Sequence, residues 1–314
     1  MTIYLRQLPV IALLFALTAC AAPVLEQPTG RRDFTLLVAG DIGECTEDGP
    51  FLTGKLLDHL DGIILVAGDI AYENGSDADF HGCFDRAWGR HKGRIFPVPG
   101  NHEYASAQAA PYYQYFGKRA AGPNGYYSFD VAGWHIVALN SNIDTASGSE
   151  EERWLRNDLQ KTPSPCILAF MHHSYRSSGW HGRTEALTPL VQDLYRYGAS
   201  IVITGHDHHY ERFAPLDPEG HRDADHGLTF FVVGTGGAEL HSTMFRSSGS
   251  ESVESNFWGV LGLHLRDNDY DWEFIPAQPT DFSDAGSSEC STRASPRIDS
   301  SIKLEGQKVR ERAR

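Results

Sequence analysis

Short apolar runs recur along the chain, each closed by Asp, Asn or His. "FTLLVAGD" (Phe34–Asp41) is the first, "GIILVAGD" (Gly62–Asp69) repeats it, and "RIFPVPGNH" (Arg94–His102) is a third version. "CILAFMHH" (Cys166–His173) and "ASIVITGHDH" (Ala199–His208) follow the same plan. Continuous apolar runs without alternation predict strands covered on both faces, as in sheets flanked by helices. Between the runs, the spacing predicts helices over Pro50–Leu60, Glu150–Gln160 and Glu185–Tyr197, the last stopped by Gly198. "YYSFDVAGWHIVALN" (Tyr126–Asn140) predicts a hairpin bridged at Ala132–Gly133. "LTFFVVGTGG" (Leu228–Gly237) and "GVLGLHLRDNDYDWEFI" (Gly259–Ile275) predict more strands, the last a hairpin turning at Asp267–Asp269. The expectation is one α/β domain over residues 33–276, followed by a polar, disordered tail over residues 277–314.

In open α/β sheets, ligands bind just beyond the carboxyl ends of the strands. The strand ends here carry Asp41, Asp69, Asn101, His172, His206 and His208, with Tyr72 three residues beyond Asp69. These groups are therefore expected to converge. Composition narrows the partners. With 314 residues and 41% hydrophobic content the chain can bury a sizeable core. A formal net charge of −14 without a Lys/Arg cluster argues against a nucleic-acid-binding surface. An anionic substrate would need local attraction, from metals or a few donors, because the overall field repels it.

Residues 1–20 read as a signal peptide. Arg6 precedes a short apolar run, Val10–Leu17, too short to span a bilayer. "LTAC" (Leu17–Cys20) resembles the lipobox of bacterial lipoproteins. That resemblance implies cleavage before Cys20, a lipid on Cys20, and export to the periplasmic side or cell surface. Residues 21–32 would then be a tether. The alternative is an ordinary secretory signal, cut for example after Ala22, and a secreted protein. Export leaves four cysteines in an oxidising compartment, Cys45, Cys83, Cys166 and Cys290. Three pairings are possible, of which Cys45–Cys83 with Cys166–Cys290 is favoured.

Oxygen and imidazole groups suit hard or borderline metal ions. Seven such groups exceed the needs of one tetrahedral ion but serve two ions sharing a carboxylate. Such a pair can activate water and stabilise both oxygens of an in-line displacement at phosphorus.

"GDIG" (Gly40–Gly43), "GDIAY" (Gly68–Tyr72), "GNHE" (Gly100–Glu103), "MHH" (Met171–His173) and "GHDH" (Gly205–His208) stand in that order. They resemble the five blocks of the calcineurin-like metallophosphoesterases and, within them, of the purple acid phosphatases. Gly43 stands where the wider family usually has a histidine, and Tyr72 stands where purple acid phosphatases supply a tyrosine. The resemblance implies an α/β sandwich of two mixed β-sheets flanked by helices. It implies Fe(III) held by Asp41, Asp69, Tyr72 and His208, with Asp69 bridging to a divalent Fe, Zn or Mn held by Asn101, His172 and His206. It further implies hydrolysis of small phosphate monoesters by in-line attack of a metal-bound hydroxide. His102, His181 and His173 are the implied phosphate or proton partners. The alternative is a phosphodiesterase acting on nucleotides or phospholipid head groups with the same metals.

Around these blocks, His209 is expected as a turn or surface histidine. Tyr210, Glu211 and Arg212 are expected as structural or orienting partners of the loop, since ligating imidazoles need an acceptor. Tyr112, Tyr113 and Tyr115 could stack on a substrate ring or simply pack.

Overall fold

The computed structural model describes residues 33–243 and 245–291. The expected signal peptide, Cys20 and the tether lie outside these residues, as does the tail beyond Ser291. Six strands form one mixed sheet: β1 (Phe34–Ala39), β2 (Ile63–Ala67), β3 (Ile95–Val98), β11 (Gly259–Leu265), β12 (Asp269–Pro276) and β13 (Ala285–Glu289). Their order is β13-β12-β11-β1-β2-β3, with β1, β2 and β3 parallel. Seven strands form a second sheet: β4 (Tyr127–Val131), β5 (Trp134–Ala138), β6 (Cys166–Phe170), β7 (Ile201–Thr204), β8 (Tyr210–Phe213), β9 (Thr229–Val233) and β10 (Ser250–Glu254). Their order is β10-β8-β9-β7-β6-β5-β4, with β5, β6, β7 and β9 parallel.

Side-chain alternation explains the layering. Leu168 and Phe170 of β6 point into the core shared with Val38 of β1 and Leu263 of β11, between the two sheets. Ile167 and Ala169, one residue out of phase, pack against Leu155 and Leu159 of helix Glu150–Lys161 and Leu190 and Leu194 of helix Thr188–Arg196. The strands are therefore covered on both faces, which is why their sequences read as unbroken apolar runs. Helix Glu150–Lys161 starts at Ser149, whose side chain accepts from the Glu152 amide, and Glu150 and Glu152 in its first turn suit the helix dipole. The hairpin between β4 and β5 turns at Ala132 and Gly133, both at positive φ, as a tight two-residue turn requires.

The domain does not end at Pro276. Residues 277–291, expected as the start of a disordered tail, run on into β13, which pairs antiparallel with β12. Cys290 then closes a disulfide to Cys166, the first residue of β6, joining the two sheets. The second disulfide is Cys45–Cys83, so the favoured pairing is the one present. Among the described residues no helix is long and apolar enough to cross a membrane.

Candidate metal centre

Asp41, Asp69, Asn101, His172 and His206 follow β1, β2, β3, β6 and β7 directly or within two or three residues, and the two sheets bring those ends together. Three of the five sit in left-handed backbone: Asp41 at φ 59°, Asp69 at φ 49° and His206 at φ 71°. Non-glycine residues pay about 1 kcal/mol or more for such conformations, which persist where the surroundings over-determine them and cluster at functional sites.

Backbone donors fix one oxygen of each carboxylate. The His206 amide donates to Asp41 Oδ2 (2.9 Å), and the His102 amide donates to Asp69 Oδ1 (2.9 Å). That leaves Asp41 Oδ1 and Asp69 Oδ2 turned inward. Two imidazoles are fixed by carbonyls in the same way. His172 Nδ1 donates to Ala67 O (2.9 Å) and His208 Nδ1 to Glu239 O (2.7 Å), so each ring presents Nε2 to the site.

The inward atoms form two overlapping groups. His172 Nε2 lies 3.1 Å from Asp69 Oδ2, 2.9 Å from Asn101 Oδ1 and 3.0 Å from His206 Nδ1. Tyr72 Oη lies 3.2 Å from Asp41 Oδ1, 3.2 Å from His208 Nε2 and 3.5 Å from Asp69 Oδ2. Asp69 Oδ2 belongs to both. Asp69, His172 and His206 each offer a ligand atom within 4.8 Å of the others.

This donor set demands positive charge. Asp41 and Asp69 are buried, and such carboxylates need counter-charge. Burial alone would lower the pKa of His172, but the Asp69 carboxylate overrides it and lifts it to about 9. His208 is likewise lifted to about 9, by Asp41 against its own burial. Burial alone would raise Asp69, yet His172 and His102 hold it well below the carboxylate range. Protons on Nε2 of the two rings would meet that demand. Cations at the same positions would take the place of those protons. All seven sequence candidates are thus brought together, with Asp69, His172 and His206 placed as a possible metal-binding cluster.

The three proton-partner candidates ring this centre. His102 Nδ1 donates to Glu73 O (2.6 Å), and its Nε2 lies 3.9 Å from Asp69 Oδ2. The exposed His181 ring packs 4.0 Å from the His206 ring, its amide held at 2.9 Å by Asp207 Oδ1. His173 lies 4.5 Å from His206, but its Nδ1 is engaged with Ser141 Oγ at 2.8 Å. Burial and the neighbouring His172 charge push His173 down to about 3.

Several expectations change. His209 lies in the bend between β7 and β8, as one of the alternatives had it, but not at the surface: it is fully buried, with Nε2 3.2 Å from Glu211 Oε2. Of the two roles expected for Glu211 it takes the structural one, bonding His209 of the loop and receiving the Ser178 amide (2.7 Å) and hydroxyl (2.5 Å), while backbone carbonyls orient the ligand-candidate rings. Tyr112 is buried and bonds Pro97 O, Tyr115 stacks on Phe80 at 4.7 Å, and Tyr113 is half-buried beside Tyr104, so these tyrosines pack. Two residues were missed. Glu103 is buried and receives the Ile70, Ala71 and Gly100 amides at 2.8, 3.1 and 2.7 Å, tying the loops after β2 and β3 together. His241 stacks on His208, with ring centroids 4.6 Å apart. Glu103 could have been suspected from its place beside His102, whereas His241 lies far down the chain from its partner and carries no local signal.

A family model described as calcineurin-like phosphoesterase matches residues 34–210, the span that carries all seven ligand candidates and His102, His173 and His181. The chain belongs to the calcineurin-like phosphoesterase family. Similar proteins include purple acid phosphatase 15 of Arabidopsis thaliana, 28% identical over 64% of this chain and 44% of that protein. Purple acid phosphatase 18 of the same plant is 29% identical over 68% of this chain and 52% of its own length. The matches thus span about half the length of these curated relatives. Among solved structures, purple acid phosphatase PPD1 from yellow lupin (Lupinus luteus) seeds superposes with a TM-score of 0.70 at 16% identity. That match covers 85% of this chain and 55% of the lupin chain. GAP50, the anchor in the inner membrane complex of Plasmodium, gives 0.65 at 16% identity, covering 88% of this chain and 94% of its own. At these identities the structural matches establish the fold. They agree with two mixed sheets flanked by helices.

Proposed function

We propose that the protein is a metal-dependent phosphoric ester hydrolase of the purple acid phosphatase type, acting on small phosphate monoesters. The observation that carries this reading is the shared Asp69 Oδ2, flanked by His172, Asn101 and His206 on one side and by Tyr72, Asp41 and His208 on the other. Asp41, Asp69, Tyr72 and His208 would hold an Fe(III), and Asn101, His172 and His206 would hold a divalent Fe, Zn or Mn through the same Asp69. Bound there, two ions lower the pKa of water towards neutrality and offset the charge of the phosphate.

The chain's own groups do the rest. His102 is anchored through Nδ1, so when the ring is protonated its Nε2 can donate to a phosphate oxygen or to the departing alkoxide. His181, exposed beside His206, would bond a second phosphate oxygen or the leaving group. His173, kept neutral and bonded to Ser141, serves as a wall that holds His206 in place. The net charge of −14 repels anionic substrates, so the local positive charge of this centre supplies the attraction. Lipidation of Cys20 would place the enzyme on the outer side of a bacterial inner membrane or on the cell surface.

The test compares turnover of a phosphomonoester and a phosphodiester from acid to neutral pH, with protein loaded with iron plus zinc or manganese and Asp69→Asn as the blank. A monoester preference lost in the variant supports the reading. A diester preference replaces it with the phosphodiesterase alternative, and no turnover of either ester by the metal-loaded protein rejects it.

A further inference from the structure

Asp41, Asp69, Tyr72 and His208 come from the loops after β1, β2 and β7, and the short segment Asp41–Cys45 ties these loops together. The Asp41 amide donates to Gly68 O (3.0 Å) and the Ile42 amide to Asp69 O (2.9 Å), while Gly43 O receives the Tyr72 amide (3.2 Å). A Cβ on Gly43 would lie 2.3 Å from Ile70 O, so only glycine lets the first two loops meet this closely. Cys45 then fastens the segment to Cys83 by a disulfide.

His208 is reached through one more residue. Its Nδ1 donates to Glu239 O (2.7 Å), and the Glu239 amide in turn donates to Glu44 Oε2 (3.0 Å). The other oxygen of Glu44 receives the Thr46 hydroxyl at 3.3 Å. Glu239 belongs to the stretch after β9 that lies across both loops. There the Ala238 amide donates to Asp41 O and the His241 amide to His208 O, each at 2.9 Å, and the His241 ring stacks on the His208 ring. The two halves of the centre thus differ in how their imidazoles are aimed. His172 takes its direction from Ala67, a fully buried residue of β2, whereas His208 takes it from Glu239, an exposed loop residue. A loop carbonyl orients a ring only as well as the loop itself is held, and exposed loops open most readily.

We propose that Glu44 is a positioning residue for the Tyr72 side of the centre. By gripping the Glu239 amide it locks the carbonyl that aims His208 Nε2 at Tyr72 Oη (3.2 Å) and Asp41 Oδ1 (3.4 Å). This rests on the two-metal reading above. Glu44 stands on the same segment as Asp41, so its grip sets His208 in register with the carboxylate that would share its ion. The His172 side, oriented from β2, does not depend on it. Loss of the Glu44 side chain should therefore weaken one ion and spare the other.

The test loads the full chain with iron and zinc, titrates it with a competing chelator, and follows iron and zinc per chain separately. Glu44→Ala should hold iron roughly tenfold to a hundredfold more weakly than the wild type and zinc within about twofold. Glu44→Gln keeps an oxygen for the Glu239 amide and should hold iron within about threefold of the wild type. In the metal-free protein, hydrogen exchange at the Glu239 amide should be slow in the wild type and in Glu44→Gln, and faster in Glu44→Ala. A Glu44→Ala protein that keeps iron as tightly as the wild type overturns the proposal. Equal iron loss in both variants also overturns it, because the charge of Glu44 and not its grip on the amide would then be the cause. Equal weakening of iron and zinc in Glu44→Ala would mean that Glu44 supports the fold at large, which again overturns it. A wild-type chain that holds fewer than two ions rejects the two-metal reading and this proposal with it. Two ions in the wild type with an indifferent Glu44→Ala rejects the proposal alone.

Discussion

Glu151 offers a sharp test of the electrostatics behind the fold. It lies in the first turn of helix Glu150–Lys161 and is fully buried. Its Oε1 accepts from the Asn140 amide at 2.7 Å, and its Oε2 meets no hydrogen-bond partner. Burial raises its pKa from an ordinary 4.5 to about 8, with the Asn140 amide pulling the other way. Between those values the folded chain holds one proton more than the unfolded chain. The stabilisation is therefore complete below pH 4.5 and is lost as pH rises towards 8. At about 1.4 kcal/mol per pH unit, the full interval costs about 5 kcal/mol, of which about 2.5 kcal/mol falls between pH 5 and pH 7. Glu151→Gln cannot ionise and escapes this cost. Equilibrium urea unfolding of both proteins at pH 5, 6, 7 and 8, with disulfides intact, isolates the effect, because other titrating groups cancel in the difference. The variant should gain on the wild type by about 2.5 kcal/mol from pH 5 to pH 7. A difference that does not change with pH, or that favours glutamate as pH rises, would refute the reasoning.

Further expectations follow from covalent closure and from loop placement. Replacing Cys166 and Cys290 by serine opens a closure spanning 124 residues, for which chain entropy gives a loss of about 5 kcal/mol in urea unfolding; a loss under about 1 kcal/mol would mean that the bridge does not restrict the unfolded chain. Asp207→Ala frees the His181 amide and should lower kcat/KM roughly ten- to a hundredfold with metal content unchanged. Asp207→Asn retains an acceptor oxygen and should restore most of that loss; equal damage in both variants would show that Asp207 does not act through the amide.

What the sequence made legible, and what it hid, has a physical pattern. The core strands β1, β2, β3, β6 and β7 are covered on both faces, so burial alone writes them as apolar runs, and the ligand candidates stand at their ends. β10 (sequence SESVE) and β13 (sequence AGSSE) lie at sheet edges and are polar. Their strand state comes from the neighbour they pair with and, for β13, from Cys290 anchored to Cys166, so no periodicity announces it. The same reason hid the acceptors that orient His172 and His208. They are the carbonyls of Ala67 and Glu239, and every residue carries a carbonyl. His209 looked like one more loop histidine because its burial depends on Glu211 and the Ser178 segment, which only the tertiary structure brings beside it.

The central claim is that Asp69 is shared by two metal ions in one hydrolytic centre. Metal content per chain, measured on iron- and zinc-loaded protein and on Asp69→Asn alongside phosphomonoester turnover, tests it most directly. The account predicts two ions per wild-type chain, with the loss of at least one ion and of turnover in the variant. A single ion per wild-type chain, or a variant that keeps both ions and full turnover, would contradict it.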